Sequence, residues 1–245
     1  MPAGAATELV RQLERARALH EARAASPELA AGLDRLAAWQ ASRLNATYAD
    51  LARQARYAPA IAFFQSDLYG AYDYSRRDAD LARVVPLMTA VLPESVIRTV
   101  TEAMELSGLS HELDRCMLEH LPTAGCLTVG AYCDAYRALA NRLERERQIA
   151  LILEIGRALD RYVQKALVRS TLAAMRHPAR VAGLGALQAF LERGFAAFAH
   201  MHGAREFLAT IGERETELMN AILSGDRAPF PDPSRPFRTA RRAPY

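Results

Sequence analysis

The chain of 245 residues has no paired cysteine motif, no apolar leader and no long hydrophobic run. Its three cysteines, Cys116, Cys126 and Cys133, lack C-x-x-C spacing, which is typical of reduced thiols in a cytosolic protein. The first ten residues contain no basic segment followed by an apolar core, so no secretory signal is predicted. No stretch approaches the roughly 18–20 apolar residues that cross a bilayer. We therefore expect a soluble, cytoplasmic protein without a membrane span.

The loops that bind nucleotides and the turns that present nucleophiles are also missing. The sequence contains no G-x-x-x-x-G-K-[ST], G-x-G-x-x-G or G-x-S-x-G motif. No glutamate is followed by a histidine three residues later, which argues against the di-iron sites of helical bundles. Acid and imidazole are adjacent at His111-Glu112 and Glu119-His120, about 100° apart on a helix, which is poor geometry for a metal. We predict no cofactor and no metal site, although a single axial haem histidine is compatible with the sequence.

The excess of positive charge is confined to the end of the chain. The whole sequence has 31 basic and 28 acidic residues, and residues 226–245 contain five arginines and two aspartates, so the remainder has 26 of each. A neutral body gives no indication of a specific nucleic-acid-binding patch. Five of the twelve prolines lie in the same twenty residues, a composition that cannot form a packed core. We predict a helical bundle domain over 1–225 and a disordered arginine- and proline-rich tail over 226–245.

Apolar residues recur at helical spacing along most of the chain, whereas alternating β-branched runs with tight turns are absent. The sequence therefore predicts an all-α protein, a single helical bundle of about seven to nine helices. Thr7 is predicted to cap the first helix. Ser26-Pro27 is predicted to start a second helix that continues to a break at Arg56-Tyr57.

Later boundaries are predicted from prolines, glycines and capping residues. A helix from Pro93-Glu94 is expected to end near Gly108, and Ser110 to cap another over 111–121. The pattern from Thr128 nearly to residue 175 predicts a break within 144–148 or near Gly156, so one helix and two are equally compatible with it. The last two helices are expected over 186–201, where Gly194 admits a close neighbour, and 205–224, with Gly225 as the C′ residue.

Aromatics, paired charges and helix signals are densest over residues 56–92. Pro59 suits the first turn of a short helix and Gly70 its end, with the apolar motif Phe-Phe-Gln-Ser-Asp-Leu-Tyr over 63–69 between them. Ser75, followed by Arg-Arg-Asp, is a predicted N-cap of the next helix. Pro86 falls inside that helix, so a kink or an early stop is expected near Val85.

This stretch resembles a family of uncharacterised bacterial proteins named for an FFLEELY motif. The resemblance rests on the string RY-x-x-A-x-x-FF-x-x-DLYG, an RRDAD-like segment and the later PAR-x-AGLG-x-LQ-x-FLE-x-GF segment, and it extends over most of 26–220. The middle Leu-Glu-Glu of the motif is replaced here by Gln65, Ser66 and Asp67. The resemblance implies an all-helical protein of a family without an established activity.

Polar residues around this stretch form the candidate site. In one interpretation they are ion pairs and caps that fix the short helix against its neighbours. In another, Arg76 and Arg77 at a helix N-terminus bind an anion. In a third, acids beside apolar residues line a polar pocket, where burial would raise their pKa values. The hypothetical ligand-binding residues are Tyr57, Asp67, Arg76, Arg77, Glu105 and Asp114.

Two functions are compatible with these observations. The lack of catalytic motifs favours a non-enzymatic protein-interaction or regulatory module, with a protein as partner. The alternative is a helical bundle that binds a small molecule, an anion or a cofactor around the FFQSDLY and SRRDAD segments, either as an enzyme or as a binding protein. The sequence gives no indication of the oligomeric state.

Overall fold

The structure is a computed structural model that describes residues 4–64, 66, 75–122 and 125–233. Twelve helices and no strand occur in these residues, so the prediction of an all-α fold is confirmed. Nine of the helices have nine residues or more, which agrees with the expected seven to nine, and three are short. They are α1 Ala5–Ala25, α2 Pro27–Thr47, α3 Ala49–Ala52, α4 Ala58–Phe63, α5 Ser75–Val91, α6 Glu94–Leu118, α7 Val129–Ala138, α8 Arg142–Val163, α9 Ala166–Ala174, α10 Arg176–Val181, α11 Gly185–His200 and α12 Arg205–Leu223.

The start of α2 follows its capping signal, whereas the start of α1 does not. The Ser26 hydroxyl accepts a hydrogen bond from the backbone N–H of Leu29 at 3.2 Å, and Pro27 occupies the first turn. Helix α1 begins directly after Gly4, so Thr7 lies inside the first turns and its prediction as the cap is wrong. The local chemistry around Ser26 therefore determines this boundary, and that around Thr7 does not.

Helix α2 ends at Thr47, and the predicted continuation to Arg56 is wrong. Tyr48 leaves the helical conformation with φ −109° and ψ 20°. Its ring is buried, and its hydroxyl donates a hydrogen bond to Oε1 of Glu215 on α12 at 2.6 Å. These contacts stabilise the break, after which the short α3 and a turn lead into α4.

The predicted helix starts at Pro59 and Ser75 are both present. Helix α4 has Pro59 in its first turn, and α5 begins at Ser75. The predicted end at Gly70 lies in the part of the chain that the structure does not describe. An early stop near Val85 is wrong, because α5 continues through Pro86. Val85 is buried against α1, and this packing keeps the segment helical although Pro86 lacks an N–H.

Helix α6 is a single helix, so the predicted end near Gly108 and the new start at Ser110 are wrong. Gly108 is buried, and a Cβ there would lie 3.4 Å from Nε of Arg15 on α1. The glycine therefore marks the close approach of α1 to α6 rather than a helix end. The apolar faces of these two helices meet through Leu9, Leu13, Ala16, Ile97 and Met104.

The long apolar pattern after Thr128 forms three helices. Thr128, where the pattern starts, caps α7, because its hydroxyl accepts the N–H of Ala131 at 3.2 Å. The chain then breaks at Ala140, whose φ is +49°, and again after Val163. Both predicted breaks, within 144–148 and near Gly156, are wrong, since α8 passes through them.

Glycines on α8 and α12 hold these two helices close together. A Cβ at Gly156 of α8 would overlap the side chain of Leu208 on α12. A Cβ at Gly212 of α12 would lie 2.9 Å from Cδ1 of Leu153 on α8. On each helix a leucine side chain packs against the glycine of the other helix. These two contacts fix the relative position of α8 and α12.

Helices α11 and α12 agree with their predicted bounds. A Cβ at Gly194 of α11 would lie 3.0 Å from Cζ of Phe63 on α4, so this glycine admits the aromatic ring as predicted. Helix α12 ends in a Schellman motif, in which the Asp226 N–H donates to the carbonyl of Ala221 at 2.9 Å. Gly225 has φ +103° and is the C′ residue, as predicted.

The first part of the predicted tail packs against the bundle. The Phe230 side chain is buried, and its ring centroid lies 6.1 Å from those of Trp39 and Tyr132. The packed chain therefore continues beyond the predicted boundary at 225. Residues 234–245 lie outside the described part.

We expect Gly156→Ala to destabilise the protein by about 1–3 kcal/mol, because the added methyl group overlaps the buried Leu208 side chain. Helix propensity alone would favour alanine by about 1 kcal/mol, so the sign of the change tests the packing. Urea denaturation measures the free energy of unfolding.

Gly185→Ala at the start of α11 is the control, because a Cβ there meets no atom within 4 Å. It should change the free energy of unfolding by no more than about 0.5 kcal/mol. In a Leu208→Ala background the penalty of Gly156→Ala should shrink. An equal penalty in both backgrounds would contradict the contact.

Candidate functional site

A cavity of about 380 Å³ lies inside the bundle. Most of its described lining comes from α2, α4, α6, α7, α8, α11 and α12, with Phe230 closing one part. Its volume falls in the range of small-molecule sites, about 300–1,000 Å³, and sites of this kind occur between the helices of bundles. The cavity is therefore the candidate functional site.

Aromatic side chains of α4 and α11 form one wall. The ring centroids of Phe63 and Phe190 are 5.5 Å apart, and those of Phe63 and Phe64 are 6.4 Å apart. Phe64, Phe190 and Phe195 are only half-buried, so part of each ring faces the cavity. Further apolar lining comes from Ile152, Ile155 and Leu159 of α8.

A partly buried ion pair joins α2 to α12 at the polar part of the cavity. Glu215 accepts hydrogen bonds from Nη1 of Arg43 at 2.8 Å and from the hydroxyl of Tyr48 at 2.6 Å. Burial alone would raise the pKa of Glu215, but the charge and hydrogen bonds of Arg43 and the Tyr48 hydroxyl lower it below its ordinary value. Arg43 is therefore neutralised within the protein.

Asp114 of α6 also lines the cavity. Its Oδ1 accepts a hydrogen bond from Nε2 of Gln40 on α2 at 2.8 Å. Burial raises the pKa of Asp114 above its ordinary value, against the lowering effects of Gln40 and Arg145. This carboxyl group therefore takes up a proton more readily than an exposed aspartate.

Arg145 of α8 is a buried cation on the cavity wall. Its side chain is 5% exposed, and its guanidinium carbon lies 4.2 Å from the ring centroid of Tyr136. Nη1 donates to Oε1 of Gln148 at 3.3 Å, and Nη2 lies 3.2 Å from Sδ of Met117. Within the described ranges, Nε has no hydrogen-bond partner and no carboxylate lies within 4 Å of the guanidinium. A buried charge without a counter-ion costs several kcal/mol.

Two tyrosines of α7 complete the polar lining. Tyr132 and Tyr136 are buried, and neither hydroxyl has a hydrogen-bond partner among the residues that the structure describes. Burial raises the pKa of both phenols, so both remain protonated donors at neutral pH. On the same face of the cavity, Gln148 donates to the Ser110 hydroxyl at 2.8 Å.

Of the six residues predicted from the sequence, Asp114 lines the cavity, whereas Tyr57 and Glu105 do not. The Tyr57 hydroxyl donates to Oε2 of Glu206 at 2.9 Å. Glu105 accepts two hydrogen bonds of 2.8 Å from Arg147. Both therefore take part in local polar pairs.

The other three predicted residues receive no structural test. Asp67 lies outside the described residues, and Arg76 and Arg77 are described only in their helical backbone. Sequence reasoning missed Arg145, Arg43 and Glu215. A signal was present for Arg145, because it occupies the same helical face as Ile149 and Ile152 and is therefore a charge at an apolar position. No comparable signal marks the pairing of Arg43 with Glu215, which are 172 positions apart.

Metal and membrane signatures are absent from the described ranges. These residues contain no group of three or more histidines, cysteines or acids that could hold a metal ion. Burial raises the pKa of the Cys133 thiol to about 11, so it is protonated at neutral pH. No described helix combines the length and the apolar character that crossing a bilayer requires.

We expect Glu215→Gln to destabilise the protein by about 3–5 kcal/mol at pH 7, because it leaves the Arg43 charge buried without a counter-ion. Since the pKa of Glu215 is lowered in the folded state, its contribution is present above the unfolded pKa of about 4.3 and is lost as the pH falls through the folded pKa. Urea denaturation between pH 7 and pH 3 measures both effects.

Glu206→Gln is the matched control. Glu206 likewise accepts from an arginine and a tyrosine, Arg56 and Tyr57, but its side chain is 73% exposed, against 19% for Glu215. The free energy of unfolding of this control should fall by no more than about 1 kcal/mol. Equal losses in the two variants would show that burial of the Arg43 pair has no special role.

Comparisons with known proteins give a family and no activity. No curated protein and no solved structure matches the chain. The family model of a domain of unknown function, DUF8198, matches residues 19–229. The likeness to the FFLEELY-motif proteins stays a resemblance. Because the match covers most of the chain, the protein belongs to the DUF8198 family.

Proposed function

We propose that the protein binds a small, largely apolar molecule inside its helical bundle. The observation that carries this proposal is the cavity of about 380 Å³, whose walls combine half-buried aromatic rings with a small polar cluster. Ligand sites in proteins have this composition, in which apolar walls supply affinity and a few polar groups fix orientation.

The energetics of packing support an occupant. The half-buried aromatic rings of the walls leave apolar area uncovered, at a cost of about 25 cal/mol per Å² of apolar surface. Water needs two to four polar partners, roughly, and the phenylalanine and isoleucine walls offer none. An apolar ligand removes this cost by filling the space and covering the rings.

A small-molecule site was the alternative function drawn from the sequence, and the cavity lies only partly at the segments predicted for it. Phe63 and Phe64, the first residues of the FFQSDLY motif, line the cavity together with Asp114. The described polar groups beside them come mainly from α2, α7, α8 and α12, and Asp78 and Asp80 of the SRRDAD segment are not among the described lining residues. A role for Arg76 and Arg77 stays a prediction.

A protein-interaction module is the second candidate. Helix α9 has no buried residue, and Leu167 on it is 77% exposed. Exposed apolar side chains of this kind are found at sites where proteins associate. We rank this candidate second because no contact in the described residues indicates what would cover α9.

Ala103→Phe tests the proposed site. Ala103 of α6 is exposed and lines the cavity, so we expect a phenyl ring there to extend into the ligand space. We expect the variant to bind the neutral fluorophore N-phenyl-1-naphthylamine at least about 10-fold more weakly than the wild type, a loss of about 1.4 kcal/mol. Fluorescence titration measures the affinity.

Ala38→Phe is the matched control, because Ala38 is exposed on α2 and does not line the cavity. Its affinity for the fluorophore should equal that of the wild type. Absence of saturable binding to the wild type, or equal weakening by the two substitutions, would overturn the proposal.

A further inference from the structure

We infer that the molecule in the cavity carries a carboxylate and that Arg145 recognises it. This inference rests on the proposed function, because it names the chemical class of the ligand that the cavity takes. The ligand would be an organic acid with an apolar body, lying with its body between the phenylalanines of α4 and α11 and the isoleucines of α8.

The first support is the hydrogen bonding of the Arg145 guanidinium. Nε and Nη2 form the edge of an arginine that binds the two oxygens of a carboxylate side by side. Here Nε–H has no partner in the described residues, and Nη2 lies against the sulfur of Met117. A thioether is a weak acceptor on a flexible side chain. Met117 is fully buried and is not among the lining residues of the cavity, so a carboxylate satisfies both donors once the Met117 side chain moves aside.

The second support is the balance of charge around the cavity. Two arginines of its wall differ, because Arg43 is paired with Glu215, whereas Arg145 has no carboxylate at ion-pair distance among the described residues. Asp114 accepts from Gln40 and is not within ion-pair distance of Arg145. Arg145 is therefore a cation of the cavity wall without a carboxylate in direct contact, and a carboxylate on the ligand supplies one.

The third support is the supply of further donors. The hydroxyls of Tyr132 and Tyr136 line the cavity without partners among the described residues. The Arg145 guanidinium stacks on the Tyr136 ring at 4.2 Å, which fixes its plane. A carboxylate accepts up to about four hydrogen bonds, so it can use the guanidinium edge and a phenol together.

Laurate and dodecanol, which share one alkyl chain and differ in the head group, test the inference. Isothermal titration of the full chain, refolded from urea to remove any ligand, measures both affinities. We expect laurate to bind the wild type about 10- to 100-fold more tightly than dodecanol, the range for a hydrogen bond between charged groups.

Substitutions of Arg145 assign the effect to its guanidinium. Arg145→Met should weaken the binding of laurate by about 10- to 100-fold and should change the affinity for dodecanol by no more than about 3-fold. Arg145→Lys keeps the charge but lacks the planar guanidinium group, so its affinity for laurate should lie between those of the wild type and Arg145→Met. Arg142→Met, on the same helix but at a side chain that is 48% exposed, is the matched control and should change neither affinity.

The outcomes separate this inference from the function on which it rests. Saturable binding of dodecanol with no preference for laurate would overturn the carboxylate inference and leave the cavity as an apolar binding site. The same conclusion follows if Arg145→Met weakens both compounds equally. If neither compound nor the neutral fluorophore binds the wild type, the proposed function itself fails.

Discussion

The buried positive charge of Arg145 is the constraint on which the account depends. A long arginine side chain normally extends its charged end into water. This one does not, because α8 is fixed by the packing of Leu208 on Gly156 and of Leu153 on Gly212. The face of α8 that carries Arg145 is thereby held toward the cavity. The same packing that stabilises the bundle therefore keeps a charge inside it.

The two arginines at the polar part of the cavity show how environment separates structural from functional charge. Arg43 forms an ion pair with Glu215 that joins α2 to α12, although its Nε has no partner among the described residues. Arg145 meets an aromatic face, an amide and a thioether. Proteins tolerate destabilised groups of this kind where binding requires them, so stability and function conflict at this position.

The fold was predictable where local chemistry sets it, whereas of the cavity lining the sequence pointed only to Asp114 and to Phe63 and Phe64 of the motif. Ser26 and Gly225 mark helix ends through hydrogen bonds to their own neighbours, and the sequence identifies both. Gly156 was mistaken for a break because its role depends on Leu208, more than fifty residues away. Arg145 lies in the range 144–148 where a break was predicted, although its helical phase places it on the same face as Ile149 and Ile152. The helix that packs against that face is determined by tertiary structure, which cannot be derived from a single sequence.

The free energy of unfolding of Arg145→Met, compared with that of the wild type in ligand-free protein at pH 7, tests this account most directly. If the buried guanidinium is held for a ligand, methionine should leave the stability unchanged or raise it by about 1–4 kcal/mol. If Arg145 instead stabilises the fold through its contacts with Tyr136, Gln148 and Met117, the variant should lose more than about 2 kcal/mol, and that result would contradict the account.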